Sequence, residues 1–313
     1  MTKNASNDIL MVRPIRFGMN AQTAVDNFYQ NQQASKGAED QIAARAEFDA
    51  FVEKLRAVGV NVHVLEDTET PHTPDSIFPN NWISMHEDGT VVLYPMKAEN
   101  RRLERRSDIF EHLKSWGFDF NVIHDISAAE AEGTYLEGTG SIVFDHDSRI
   151  AYLAESQRAE SGLFKILCEE IGYTPVVFKS FQQTPDGPQP IYHTNVMMCV
   201  TNTYVLICLD TIHDLEERAA VVDAIHGSGK EVLEISEDQK VQFAGNMLLV
   251  KGAENVLHLV MSGSAFRSLT EAQKERIQRD HQIIYSDLPT IETLGGGSAR
   301  CMLAEIYLPK NNE

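Results

Sequence analysis

Cys301 follows the run GGGSAR, His193 stands in PIYHTNV and Glu137 in LEGTGS. Glycines before a cysteine leave uncommitted backbone N–H groups near the sulfur. The adjacent Arg300 adds a positive charge, and both effects favour the thiolate, the reactive form of the side chain. A histidine can serve as acid to a leaving group and then as base to water, while a carboxylate orients the imidazole and stabilises its charged form. Cysteine plus histidine is the minimum for nucleophilic catalysis through a covalent thio-intermediate, and the carboxylate completes the set. The remaining cysteines have a different setting. Cys199 and Cys208 lie in the apolar runs VMMCV and VLICL, and Cys168 in the helical FKILCEEIG, so they read as inert core thiols.

Residues this far apart act together only if the fold gathers them. Asn81, Glu137, His193, Asn246 and Cys301 head short apolar runs at spacings of 56, 56, 53 and 55. Four interior segments, FPNNWISMHEDGTVVLYPM, LEGTGSIVFDHDSRIAYLA, YHTNVMMCVTNTYVLICL and FAGNMLLVKGAENVLHLVM, each read as strand, turn, strand and then helix. The fifth, GGGSARCMLAEIYLP, has one strand only. Its second strand and helix are expected from MVRPIRF and the stretch 36–58, where Ile42, Phe48, Phe51, Val52, Leu55 and Val58 recur near helical spacing.

The other helices are expected near 98–116, 156–172, 213–227 and 268–281, the last opened by a Thr270–Gln273 capping box. A further strand follows each helix, near 60–66, 119–124, 174–179, 231–235 and 282–286. The pattern predicts an α/β fold of five ββαβ units closed into a pseudo-fivefold propeller. In such a ring the five landmark positions converge near the axis.

Composition bounds the partners. The 313 residues are 42% hydrophobic and 23% charged, the profile of a globular chain, and are expected to form a single catalytic domain with an ordered core over about 11–308. Lys and Arg total 27 against 46 Asp and Glu, a net charge of −19, the wrong sign for phosphate backbones or anionic membranes. Nucleic acid and membrane are therefore not expected as partners. No apolar run is long enough to span a bilayer and MTKNASNDILMVRP lacks the features of a signal peptide, so a cytoplasmic location is expected. The four cysteines form no CxxC pair, and reduced thiols are expected. Homo-oligomerisation is compatible with the sequence without being specified by it.

TPDSIFPNNW, LEGTG, YHTNV, AGN and GGGSARCML, in this order and spacing, resemble the guanidino-group modifying superfamily of arginine deiminases, dimethylarginine hydrolases and amidinotransferases. Within it, the MVRP start, FGMNAQTAVDN and FPNNW resemble most the branch called citrulline-utilisation hydrolase. The resemblance runs from about residue 11 to 308 and implies the five-module α/β propeller known as the pentein fold. It implies Cys301 as nucleophile, His193 as general acid and base, and Glu137 as its carboxylate partner. It also implies Asp75 at the amino-acid end of a small amino-acid substrate, with Arg101 or Arg102 and Arg158 on the α-carboxylate, since guanidinium donors fork onto both carboxylate oxygens. Arg105 and Arg106 read instead as a solvated helix face. No metal or organic cofactor is implied.

The sequence departs from the deiminase pattern at two clamping carboxylates. Those positions are Asn81, with Asn80 beside it, and Asn195. A buried cation without a negative partner is costly, whereas an amide offers one acceptor and two donors to a neutral urea. The expected reaction is therefore citrulline to ornithine, carbon dioxide and ammonia. Alternatives are hydrolysis of arginine or a modified arginine, amidino transfer, and a non-catalytic binding propeller. Loops 18–35 and 182–190 are expected to shape access to the site, with PDGPQP forming a turn and Asn20 a candidate to close over substrate.

Overall fold

In each repeat a short β-branched or aliphatic run, a polar turn and a second run form an antiparallel hairpin. A helix then returns the chain to lay a parallel strand against the second. The computed structural model describes residues 2–184 and 187–311. In unit one Ile83–Met85 pairs antiparallel with Thr90–Leu93, which pairs parallel with Val122–Asp125. The same order recurs in Ile142–Asp145, Ile150–Ala154 and Thr174–Phe178, and in Met198–Val200, Tyr204–Ile207 and Glu231–Glu234. Unit four is Leu248–Lys251, Leu257–Ser262 and Gln282–Ser286.

Unit five joins distant segments. Ala304–Ile306 pairs antiparallel with Asp8–Arg13, whose other edge pairs parallel with Asn61–Glu66. The expected ββαβ order and the borrowed strand are both present in this mixed α/β fold, and an Ile306–Met85 contact merges units five and one into a six-stranded sheet.

The helices follow the expected places with instructive differences. Ala38–Ala57 buries Ala44, Phe48, Phe51, Val52 and Leu55. Ile42 is 71% exposed, because two residues before Ala44 is about 200° around a helix, on the opposite face. The stretch 98–116 is two helices, Glu99–Arg102 and Ile109–Ser115. Between them Arg105 binds Glu130 and Arg106 binds Asp108, so these arginines are half-buried and paired where a solvated face was expected.

In unit two the helix is Ser161–Ile171, starting where the Glu160 carboxylate accepts the N–H groups of Gly162 and Leu163. That start leaves Arg158 on the preceding turn. Leu215–Gly227 begins at an Asp214 cap, and 268–281 divides into Gly263–Ser268 and Glu271–Gln278, the second opened by the expected Thr270–Gln273 capping box. Phe181–Thr184 and Gly187–Pro190 form a hairpin the sequence reading did not foresee; Pro185 and Asp186 of the expected turn lie outside the described residues.

Two features position the site. One helical turn stands directly ahead of the first strand in most units: Pro79–Asn81, Gly138–Ser141, Thr194–Val196 and Ala299–Met302. In addition, Ala38–Ala57 packs on Pro289–Gly295, the helix that leads into the glycine run. Phe48, Phe51, Ile284 and Ile291 share one apolar cluster with Cys301, and removing either phenylalanine side chain would cost about 3–5 kcal/mol. Among the described residues no helix is long and apolar enough to cross a membrane.

Candidate active site

The turns that open the strands carry the reactive groups. Cys301 lies within Ala299–Met302, His193 immediately ahead of Thr194–Val196, and Glu137 immediately ahead of Gly138–Ser141. Cys301, His193, Asp75, Asn81, Arg101 and Arg158 line one small cavity, together with Tyr192, Phe78, Asn27 and Gly295–Gly297. The groups are almost fully withdrawn from water, Glu137 being 0% and Cys301 4% exposed.

His193 Nε2 lies 2.8 Å from Glu137 Oε2. The other oxygen of Glu137 accepts the Lys97 backbone N–H at 3.0 Å, and the guanidinium groups of Arg158 and Arg101 stand 3.5 and 3.9 Å from the carboxylate. Burial alone would raise the Glu137 carboxyl. Arg158, the His193 hydrogen bond and Arg101 outweigh it and hold the group far below the usual carboxylate range. Glu137 is thus an anion that keeps a proton on Nε2. Burial holds His193 below the ordinary imidazole value, against the opposing pull of Glu137, and leaves Nδ1 with a free lone pair near neutral pH. Gly140 makes room for this ring. A Cβ there would lie 2.8 Å from His193 Nδ1 and Cε1 and 2.4 Å from Asn81 Nδ2.

Around the sulfur the groups are amides. Asn246 Nδ2 donates to Cys301 Sγ at 3.2 Å and Asn195 Nδ2 at 3.6 Å. Arg300, expected to favour the thiolate, turns away. Its guanidinium donates to the Leu303 carbonyl at 2.8 Å and pairs with Glu305 at 3.1 Å, because these buried acceptors satisfy its donors where the sulfur would leave most of them empty. Asn81 Oδ1 accepts from Arg101 at 2.7 Å and its Nδ2 donates to Asn80 Oδ1 at 3.1 Å. Asn80 therefore lies behind Asn81 and does not line the cavity.

The far end of the cavity is charged. Asp75 Oδ2 accepts from Asn20 Nδ2 at 2.8 Å and Thr23 Oγ1 at 3.2 Å, while Oδ1 has no partner. Burial raises this carboxyl, opposed by Arg101 and the Asn20 hydrogen bond. Arg101, rather than Arg102, reaches the cavity, but its donors serve Glu104 at 2.9 Å, Asn81 and the Phe78 carbonyl at 3.3 Å. Arg158 faces the Tyr192 ring at 5.0 Å, donates to the Thr23 carbonyl at 3.0 Å and pairs with Asp26, leaving Nε without a partner.

Loop 18–35 thus folds over the charged end, Asn20 and Thr23 on Asp75, Asp26 on Arg158, and Asn27 on the carbonyl of Gly295 at 3.3 Å. Sequence reasoning missed Thr23 and Asp26, although both lie in FGMNAQTAVDN, and Glu104. It also passed over Asn246 as a site residue, although the repeat spacing had marked that position. Among the described residues no group of three or more His, Cys, Asp or Glu is placed to hold a metal ion.

A family model described as N,N dimethylarginine dimethylhydrolase, eukaryotic, matches residues 13–308. No curated protein sequence matches the chain. Among solved structures, ArgZ, an arginine dihydrolase from the ornithine–ammonia cycle in cyanobacteria, superposes with TM-score 0.73 at 17% identity over 97% of this chain. The chain spans only 41% of that protein. The N-terminal domain of ArgZ, covalently bound to a reaction intermediate, gives TM-score 0.71 at 17% identity, with 96% of this chain and 99% of that one covered. A dimethylarginine dimethylaminohydrolase bearing an S-methyl-L-thiocitrulline adduct gives 0.66 at 17% identity, covering 97% and 99%. At such identity the likeness is one of fold. With the family match over nearly its whole length, the chain belongs to the N,N dimethylarginine dimethylhydrolase family of the guanidino-group modifying superfamily.

Proposed function

We propose that the protein hydrolyses the ureido group of citrulline, releasing ornithine, carbon dioxide and ammonia. One observation carries this reading: the side chains hydrogen-bonded to Cys301 Sγ, among the described residues, are the amides Asn195 and Asn246. The nearby carboxylate of Glu137 is already committed to His193, Arg158 and Arg101. A neutral urea suits such surroundings, whereas a guanidinium would be buried without its counter-charge.

The amino-acid end supports the same substrate. Two buried atoms in the cavity wall lack partners, the carboxylate oxygen Asp75 Oδ1 and the guanidinium nitrogen Arg158 Nε. They complement the α-ammonium and α-carboxylate of an amino acid. Arg158 is therefore assigned to the carboxylate, with Arg101 bracing Asn81.

In the mechanism, the Cys301 thiol gives its proton to His193 Nδ1 and the resulting thiolate adds to the ureido carbon. The imidazolium, stabilised by Glu137, returns that proton to the departing ammonia, leaving an N-alkyl thiocarbamate. His193 then takes a proton from water, hydroxide adds, and the C–S bond breaks to regenerate the thiolate. The released carbamic acid loses carbon dioxide to give ornithine.

The chain acts in this proposal as one cytoplasmic catalytic domain, a setting that four free thiols support. Its five units form a ring about a pseudo-fivefold axis. The supporting contacts run from unit to unit around the chain: Gly138–Ser141 touches Ile83–Met85, Met198–Val200 touches both Ile142–Asp145 and Leu248–Lys251, Leu257–Ser262 touches Ala299–Met302, and Ala304–Ile306 touches Ile83–Met85.

A second reading, hydrolysis of arginine or a modified arginine, is favoured by the unpartnered Asp75 oxygen, a free negative charge for a guanidinium. Incubation with citrulline and with arginine, using Cys301→Ala as control and mass spectrometry of products, separates the two. Ornithine from citrulline alone supports the ureido reading; citrulline formed from arginine overturns it.

A further inference from the structure

We propose that Asn246 is a catalytic residue: its side-chain amide holds and stabilises the Cys301 thiolate, the task that Arg300 does not perform. The inference rests on Cys301 being the nucleophile, as in the function proposed above.

Asn246 is 1% exposed, and all three hydrogen-bonding positions of its amide that the site can use are occupied. Oδ1 accepts the backbone N–H of Arg300 at 3.0 Å. Of the two Nδ2 hydrogens, one serves the Asn195 carbonyl at 3.2 Å and the other Sγ at 3.2 Å. This set fixes the amide's orientation, since a flipped group would place its NH2 against the Arg300 N–H and its oxygen against the Asn195 carbonyl. Nδ2 therefore must face the sulfur.

The residue is also held from behind. A Cβ on Gly245 would lie 2.3 Å from the Val196 carbonyl oxygen, so the AGN turn is pressed against the turn that carries Asn195. Asn195 Nδ2, tied to the Thr139 carbonyl at 3.2 Å, adds a longer contact to Sγ. The fixed Asn246 amide thus points an N–H at an atom that becomes negative in the free enzyme and again when the thiocarbamate breaks, while Asn195 flanks the sulfur with Nδ2 at 3.6 Å and Oδ1 at 3.9 Å. A hydrogen bond to an ionised acceptor is stronger than one to its neutral form, so the contact favours thiolate over thiol.

The test reads the sulfur directly and needs no substrate. The alkylation rate by iodoacetamide is followed against pH in the full chain, with Cys301→Ala subtracted. Burial pushes Cys168 and Cys199 up to about 12 and Cys208 to about 11, so the difference signal belongs to Cys301. Asn246→Ala should move the midpoint up by roughly one pH unit or more, the size expected for losing a hydrogen bond to a charged group. Asn246→Asp, of nearly the same volume, should move it further by placing an oxygen where the donor stood. If Asn246→Ala does not fold, the Asp variant carries the test alone. A folded variant with an unchanged midpoint overturns the assignment of Asn246. A wild-type Cys301 that reacts no faster than the core thiols overturns the nucleophile reading itself, so the two failures are distinct.

Discussion

Gly140→Ala adds a single methyl group to the active site, and the structure sets its effect. The new Cβ would stand 2.4 Å from Asn81 Nδ2 and 2.8 Å from two atoms of the His193 ring, where ordinary contact begins at 3.4 Å. The amide must therefore retreat by about 1 Å and the imidazole by about 0.6 Å. Neither has slack, because Asn81 is pinned by Arg101 at 2.7 Å and His193 by Glu137 at 2.8 Å. A misplacement near 1 Å at a reacting group costs about 100-fold in rate, and overpacking of this kind costs roughly 1–3 kcal/mol in stability. Gly140 does not take a positive φ, so alanine itself adopts its conformation. We expect kcat to fall about 100-fold with a modest drop in the urea midpoint. Gly227→Ala, whose Cβ would meet nothing within 4 Å, is the control and should leave kcat unchanged. Wild-type kcat in a folded Gly140→Ala variant would refute the claim that the position of His193 limits the rate.

Glu137→Gln keeps the shape but strips the counter-charge from Arg158 and Arg101; leaving buried charges unpaired costs roughly 3–5 kcal/mol, so the urea midpoint should drop along with turnover. Arg158→Lys should raise KM for citrulline at least about tenfold while changing kcat less, and should leave turnover of a ureido amine lacking the α-carboxylate unaffected. Equal losses on both substrates would remove Arg158 from the carboxylate. His86, buried with Nδ1 unpartnered, is pushed down to about 4 from 6.5 by burial. Its folded-state value lies below its unfolded one, so the stability it contributes is full above pH 6.5 and is lost as pH falls toward 4, up to about 3 kcal/mol. Urea midpoints at pH 7.5 and 4.5 should show this acid limb in the wild type and a shallower one in His86→Gln.

Much of this architecture was legible because it repeats. Spacings near 55 residues located every first strand and placed Glu137, His193 and Cys301 at equivalent turns, which the structure brings to one site. The spacing even implied that the strand near residue 10 completes the last unit. What escaped is what periodicity does not encode. The direction of Arg300 is decided by Glu305, and that competition cannot be weighed before both neighbours are placed. Asp26 and Thr23 meet Arg158 only because loop 18–35 crosses over the site, outside any repeat. Ile42 carried a hydrophobic letter on a polar face, and only the helical angle to Ala44 reveals it.

Pairing of Asp8–Leu10 with Ala304–Ile306 closes unit five, and Cys301 lies just three residues ahead of that strand. Nearly three hundred residues separate the partners, so this is among the last pairings the loop-closure entropy permits. During synthesis from the N-terminal side, the sulfur joins an already assembled set of amides and imidazole only when the rest of the molecule is in place. In the proposed function, thiol reactivity is then a completion signal, because a half-made chain carries the cysteine without the groups that arm it.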